Sequence, residues 1–163
     1  MIYEVEGDIL LTDAQALAHG VAPNDDFRNG LAFSLKEKLP VLYKDFRHYS
    51  KGHHPKEGTI WSWTNEGGKM VINLFTQEHA PGSGSLPGKA TTSYVNHTLK
   101  ELRKEVEKNG IDSVALPKLA TGVGGLDWEE VKPLIDKHLG DLEIPVYIYT
   151  TFKKGVKAEE PKQ

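Results

Sequence analysis

The sequence predicts a three-layer α/β/α domain, with helices covering both faces of a mixed central sheet. Three observations predict it. The later part of the chain alternates short apolar runs with amphipathic helical patterns in the order βαβαβ, the pattern of parallel strands joined by helical crossovers. Two neighbouring strand-like runs, 59–64 and 70–75, flank Asn65-Glu66-Gly67-Gly68, the signature of a hairpin turn, so the sheet is mixed. The chain has 163 residues, 38% of them hydrophobic, which is enough for one domain with a real core and too little for two.

The elements follow in order. Residues 2–6 alternate apolar and polar, as a half-buried strand does. Gly7-Asp8 breaks the run, and Ile9-Leu10-Leu11 continues it. Ala16-Leu17-Ala18-His19 is a second, buried strand. A polar, turn-rich loop spans 20–30, and a helical pattern from Leu31 through Leu35 to Leu39 stops at Pro40. A short helix is expected at 43–49, then a loop over 51–58. After the hairpin comes a loop at 76–90, rich in Gly and Pro. Residues 91–108 form the longest helix, with Val95, Leu99, Leu102 and Val106 on one face and Asn109-Gly110 as its stop. A strand at 113–117 leads through Gly122, Gly124 and Gly125 into a helix carrying Val131, Leu134, Ile135 and His138 on one face. The last strand is placed at 146–150. The domain is expected to span 1–152, with 153–163 a disordered polar tail.

Composition narrows the chemistry. Net charge is −3, which argues against strong binding to a nucleic-acid backbone but leaves room for one local anion site. The absence of cysteine excludes disulfides, thiolate metal sites and a cysteine nucleophile. No signal-peptide pattern and no membrane-length apolar run are visible, so a cytoplasmic protein without a membrane partner is expected. No metal or other cofactor is expected, and a monomer is.

The candidate chemistry sits in three loops that follow strands, where open α/β sheets hold ligands. In residues 117–131, strand, glycine loop and helix N-terminus follow one another. Glycines let backbone N–H groups approach an anion, and the helix end adds free donors, though a plain β–α turn uses the same residues. Asp127 lies three residues before Glu130, the spacing of a capping box, and is expected to be an N-cap more than a catalyst. Trp128 is expected to pack. In the loop 20–30, Asn24, Asp25 and Asp26 crowd together close after His19. They either shape the turn or orient a water and accept its proton. The segment from Ser83 to Ala90 is a near-miss to a P-loop. It lacks the first glycine and carries Ala90 where a hydroxyl would bind Mg²⁺, so it is read as a pocket wall. His53 and His54 are adjacent in a polar loop rather than spaced as ligands and are expected to be exposed, and His138 lies on an apolar helix face and is expected to be a satisfied core residue.

Three ordered segments are similar to a known family. They are Val5-Glu6-Gly7-Asp8-Ile9-Leu10, Asn29-Gly30-Leu31-Ala32, and Leu116-Pro117-Lys118-Leu119-Ala120-Thr121-Gly122-Val123-Gly124-Gly125-Leu126-Asp127-Trp128. Together they resemble a macrodomain, the ADP-ribose-binding fold, nearest to the branch with the ADP-ribose-1″-phosphate phosphatases and related ADP-ribosyl glycohydrolases. The resemblance implies that Asp8 accepts a hydrogen bond from the adenine amino group and that Ile9 flanks the ring. It implies that Gly122, Val123, Gly124, Gly125 and Leu126, with Thr121 before them, wrap the diphosphate and distal ribose, and that Gly30, Leu31 and Ala32 form the other phosphate wall. Asn24 joins this ligand-binding set. Some glycohydrolases of that branch form a lysine adduct, with Lys soon after the strand equivalent to 71–75 and Asp inside the glycine loop. This chain has Thr76-Gln77-Glu78 and Gly124 there, which argues against that mechanism. The resemblance thus implies an ADP-ribose or ADP-ribosylated substrate, with His19, Asp25 and Asp26 as the catalytic candidates for removing a 1″-phosphate or an ADP-ribosyl ester. The alternative is a reader that binds ADP-ribose without turnover.

Overall fold

The computed structural model describes residues 1–82 and 84–162. Among these, six strands form one sheet: β1 Ile2–Gly7, β2 Ala16–Val21, β3 Ile60–Thr64, β4 Met70–Phe75, β5 Val114–Pro117 and β6 Val146–Phe152. Their order is β1-β6-β5-β2-β4-β3, every neighbouring pair parallel except β3 with β4. Four helices cover the sheet: α1 Gly30–Lys38, α2 Pro40–His53, α3 Thr92–Asn109 and α4 Trp128–Leu139. The three-layer mixed architecture expected from the sequence is the one observed.

Strand alternation sorts the core into two layers. Ala16 and Ala18 of β2, Ile72 and Leu74 of β4, and Val146 and Ile148 of β6 pack against α3 and α4. Their sequence neighbours Leu17, Val71, Phe75, Tyr147 and Tyr149 pack on the other face, against α1 and α2. Such a sheet, buried on both faces, carries its strands as apolar runs, which is why β4 is buried from end to end. The turn between β3 and β4 forms as expected, with Gly68 at φ +85° and its N–H donating to the Asn65 carbonyl.

Several boundaries differ from expectation. Ile9–Leu11 is a 3₁₀ turn rather than strand, because Asp8 caps it by accepting from the Leu10 N–H at 3.0 Å. Pro40 stops α1 and also starts α2 at its first position, where the missing N–H costs nothing. The short helix expected at 43–49 is therefore the middle of a helix that runs on to His53, with His54 left-handed as its cap. Asp127 stands at the N-cap of α4, but its side chain makes no capping bond, so the capping box is not realised.

The expected frayed tail is instead docked over 153–162. The Asp8 N–H donates to the Val156 carbonyl at 2.7 Å, and Ala158 packs so tightly on Gly7 that a Cβ there would lie 2.9 Å from the alanine methyl. Glu160 accepts from the Tyr149 hydroxyl, the Thr12 hydroxyl and the Asp13 N–H. One buried alanine, one well-partnered glutamate and backbone bonds to Gly7 and Asp8 hold the segment, a pattern that mean polarity conceals. The Ser83 of the P-loop near-miss and the Gln163 of the tail lie outside the described residues. Among those described, no helix is long and apolar enough to cross a membrane and no cluster of three metal-ligating side chains occurs.

Candidate active site

The parallel strands all end on one side of the sheet, and their following loops line three cavities in a row. The first, about 380 Å³, is largely apolar and is lined by Ile9, Leu10, Leu31, Tyr149 and Phe152, with Gly7, Gly30, Ser34 and Pro117. The second, about 200 Å³, shares Gly30, Leu31 and Pro117 with it and adds Ala32, Gly122, Val123 and Gly124, together with His19, Asp25 and Gln77. The third, about 360 Å³, shares Asp25 and Pro87 with the second and is walled by Asn24, Asp26, Arg28, Tyr43, Arg47 and Lys51.

Asp8 stands behind the first cavity. Its two carboxylate oxygens accept from the N–H groups of Leu10 and Gly155, both at 3.0 Å. That grip fixes the carboxylate and leaves lone pairs to accept from a ligand amino group. Gly155 lies in the docked tail, and Phe152, the large exposed ring of this cavity at 64% accessibility, ends β6. Neither was a sequence-level candidate, although the alternation Val146-Tyr-Ile-Tyr-Thr-Thr-Phe152 signals a strand two residues longer than expected.

Backbone builds the second cavity. Ala120 and Gly125 are left-handed at φ +63° and +77°, and the loop closes on itself through Gly125 N–H to Gly122 carbonyl and Leu126 N–H to Ala120 carbonyl. Among the described residues, the N–H groups of Thr121, Gly122, Val123 and Gly124 have no acceptor in the fold. Across from them stands the N-terminus of α1, whose cap Asn29 makes no side-chain bond and leaves the first-turn donors open. The loop is pinned from behind: Ala90 N–H donates to the Gly124 carbonyl, and a Cβ on Gly124 would lie 2.7 Å from the Ala120 oxygen. Thr121 spends its hydroxyl on the Lys118 carbonyl, and Leu126 packs on the core, so these two shape the loop rather than face the cavity.

The catalytic candidates separate once placed. His19 is buried in β2, edge-on to Phe27. Its Nε2 lies 2.7 Å from the Asn73 side-chain oxygen, and the Asn73 amide nitrogen donates to the Trp61 carbonyl. The oxygen is thus an acceptor, Nε2 carries the proton, and Nδ1 is the bare nitrogen. Burial pushes the imidazole down to about 4, against the lesser opposing pull of the Asn73 bond, so it is neutral near pH 7. Asp26 forms an ion pair with Arg28 at 3.0 Å and faces the third cavity alone.

Asp25 is different. It lines both the second and third cavities and marks the boundary between them. Its oxygens accept from Ala22 N–H at 3.1 Å and Phe27 N–H at 2.9 Å, holding one orientation while Phe27 adopts φ +55°. Burial raises its pKa, partly offset by those two bonds and reinforced by Asp26. Asn24 lines the third cavity, but its amide is spent on a reciprocal pair with the Ala80 backbone, at 3.0 and 2.8 Å, which ties the loop after β2 to the loop after β4. Gln77 stands in the second cavity with its amide donating to the Gly88 carbonyl at 3.1 Å.

Comparison with known proteins adds three findings. The family model described as Macro domain matches residues 35–135, more than half of the chain. Among curated relatives, a DNA ADP-ribosyl transferase–DNA ADP-ribosyl glycohydrolase fusion protein of Thermosipho africanus is 28% identical over 170 residues, covering 93% of this chain and 42% of that protein. An ADP-ribose 1″-phosphate phosphatase of Lodderomyces elongisporus is 23% identical, with 88% and 96% covered. The chain therefore spans about two fifths of the fusion protein and nearly all of the phosphatase. Among solved structures, the macrodomain of Thermus aquaticus DarG superposes with a TM-score of 0.81 at 27% identity, covering 92% of this chain and 98% of that one. The Thermosipho africanus DarTG structure in complex with ADP-ribose gives a TM-score of 0.81 at 25% identity, with 96% and 42% covered.

Proposed function

The chain belongs to the Macro domain family, and from that premise we propose that it binds ADP-ribose along the row of cavities and hydrolyses the group carried on C1″ of the distal ribose. The observation that carries this reading is the order of the cavities. An apolar pocket backed by a fixed carboxylate suits adenine. It opens into a pocket rimmed by free backbone N–H groups, which suits a diphosphate on a chain of net charge −3. Asp25 then stands at the far wall, where the distal ribose would end.

Asp25 is the group suited to proton transfer. Its raised pKa lets it hold a proton nearer neutrality than an ordinary carboxylate, deliver it to the departing atom, and take one from the attacking water. His19 is a positioning residue: neutral, held by Asn73, and packed on Phe27 two residues from Asp25. Backbone donors of the glycine loop hold the phosphate and distal ribose in place through the step. The names of the relatives, two glycohydrolase activities and a phosphatase among them, support hydrolysis at this position.

A second reading, a binder without turnover, is favoured by one feature. Thr76-Gln77-Glu78 occupies the region where lysine-adduct glycohydrolases of this family carry Lys, and the Gln77 amide is tied to Gly88. One experiment decides between them. Calorimetry with ADP-ribose is followed by a turnover panel of ADP-ribose 1″-phosphate, ADP-ribosylated protein and an ADP-ribosylated single-stranded oligonucleotide. Binding with turnover of at least one substrate is expected. Binding without any turnover leaves the reader, and absence of binding defeats both.

A further inference from the structure

We propose that Gln77 is the water-positioning residue of the hydrolytic step, its side-chain oxygen holding the attacking water at C1″ while Asp25 takes the water's proton. This rests on the assignment of the second cavity to the diphosphate and distal ribose, and of Asp25 to proton transfer.

Gln77 follows β4 and lines the second cavity with His19 and Asp25, yet only 6% of it is exposed. One end of its amide is engaged. Nε2 donates to the Gly88 carbonyl at 3.1 Å, and a carbonyl only accepts, so the nitrogen faces Gly88 and the oxygen faces away. That oxygen has no donor among the described residues. Nor is it sealed in the fold: among those residues the buried side-chain polar atom without a partner is the Thr76 hydroxyl oxygen, so the Gln77 oxygen opens on the cavity. An amide oxygen takes donors and nothing else. The free N–H groups of the glycine loop can only donate, and they suit phosphate and ribose oxygens. An attacking water must instead donate both its protons so that a lone pair points at carbon. Gln77 and Asp25 are two acceptors in one cavity that can take them.

The mount is rigid. Gln77 bridges to Ala90, Glu78 N–H donates to the Lys89 carbonyl and Gly88 N–H to the Glu78 carbonyl. Ala90 N–H in turn holds the Gly124 carbonyl, so the strip that carries Gln77 also pins the glycine loop. A Cβ on Gly88 would lie 2.7 Å from the Glu78 Cβ. The glycine of the P-loop near-miss thus serves close packing on residues 77 and 78. In the step, the water oxygen bonds C1″ as the bond from C1″ to the departing group breaks. That group leaves with the electron pair and the Asp25 proton, and the water's proton passes to the carboxylate so formed. Gln77 neither gives nor takes a proton; it fixes the second O–H of the water.

The test compares wild type, Q77A and Q77E on a substrate of the turnover panel that the wild type hydrolyses, with ADP-ribose calorimetry and thermal unfolding on the same samples. Q77A is expected to lower kcat by about thirtyfold to a hundredfold, with KM and ADP-ribose affinity within about threefold of wild type. Q77E keeps the shape of the side chain. At neutral pH the introduced carboxylate sets oxygen against the Gly88 carbonyl oxygen, and kcat is expected to be low. Once protonated, it donates to Gly88 and offers one free oxygen, as the amide does. The ratio of Q77E to wild-type kcat should therefore climb about tenfold or more from pH 8 to pH 5. A purely structural role would not give that trend, and titration of Asp25 is common to both chains. Should Q77A fail to fold, the Q77E ratio decides. An unchanged kcat in Q77A, or a ratio flat with pH, overturns the proposal. So does a Q77A chain that loses ADP-ribose affinity while kcat holds, since Gln77 would then grip the ribose. In each of these cases the hydrolytic reading stands. A wild type that binds ADP-ribose without turnover removes that reading itself, and the water site falls with it.

Discussion

The two walls of the cleft are built from different materials. The wall formed by the glycine loop and the start of α1 works through backbone: free N–H groups, left-handed residues at 120 and 125, and a glycine wedged against Ala120 and Ala90. The wall formed by residues 22–29 and α2 works through side chains: Asp25 in a fixed orientation, the Asp26–Arg28 pair, and the cations Arg47 and Lys51. A backbone wall tolerates change in most side chains but not at Gly124, where a Cβ would clash, nor at Gly30 and Gly125, which are left-handed. A side-chain wall depends on single groups, and a protonation state can be tuned only there. The first wall suits recognition of what every ADP-ribosyl compound shares; the second suits the bond that is broken and the group beyond it.

The sharpest break of this division is at Asp25. Asp25→Asn keeps size and can keep one of the two backbone bonds, but it cannot hold or release the proton. Turnover is expected to fall by roughly 10²–10⁴, with ADP-ribose affinity within about threefold. Initial rates and calorimetry on one preparation check this, with thermal unfolding to confirm the fold. An affinity that falls as far as the rate would mean that the second wall also binds.

His19 lies beneath the side-chain wall and predicts a pH effect. Its folded pKa is near 4, below its unfolded value of 6.5, so the unfolded chain binds the extra proton between those values. The stability this group supports is complete above pH 6.5 and is lost as pH falls toward 4, about 3 kcal/mol in all. Denaturant unfolding at pH 7 and pH 4.5 should show the loss, and a His19→Gln chain should show a shallower decline. A decline of equal size in the variant would place the effect in the carboxylates.

The two walls were also unequally legible in the sequence. The glycine loop, Gly7-Asp8 and Asn29-Gly30-Leu31-Ala32 announce themselves because backbone conformation constrains which residues fit, and the structure lines the first two cavities with Ile9, Gly30, Leu31 and Gly122 to Gly124. The layers were legible for the same kind of reason, since strand alternation and helical periodicity are local. The second wall was legible only in part. His19, Asn24, Asp25 and Asp26 stood out as a crowded set, yet nothing local separates a carboxylate bonded to two backbone N–H groups from one paired with Arg28. Arg47 and Lys51 meet that loop only through the fold, 20 or so residues away in the chain, and no local pattern marks them. The docking of the tail was not legible because its charged residues mask the few contacts that hold it: Ala158 on Gly7, Glu160 on Tyr149 and Asp13, and backbone bonds of Gly155 and Val156 to Asp8.

On the backbone wall, Gly124→Ala is the stringent substitution. The new methyl would stand 2.7 Å from the Ala120 carbonyl oxygen and 2.9 Å from the Ala90 methyl, so the loop must move. Overpacking of this kind costs about 1–3 kcal/mol. ADP-ribose affinity is expected to fall about tenfold or more, and turnover of bound substrate to change far less, the reverse of Asp25→Asn. Equal losses in both would show that the glycine loop also takes part in the bond-breaking step.

The mildest effect is expected farthest from C1″. Gly155 donates to the outer oxygen of Asp8, and the Asp8 N–H donates to Val156, so the docked tail holds the carboxylate that backs the first cavity. Removing 154–163 deletes both bonds while sparing Leu10 N–H as a partner. A hydrogen bond to a charged group is worth about 1.5–3 kcal/mol when buried, and less where water can replace it, as at this half-buried edge. ADP-ribose affinity should therefore drop only about three- to tenfold, and kcat at saturation should hold. The loss should be smaller for an inosine analogue, which lacks the amino group that Asp8 would accept from. If truncation weakened both ligands alike, the tail would be acting on the fold as a whole, and the recognition of adenine would belong to Ile9 and Phe152 without help from Asp8.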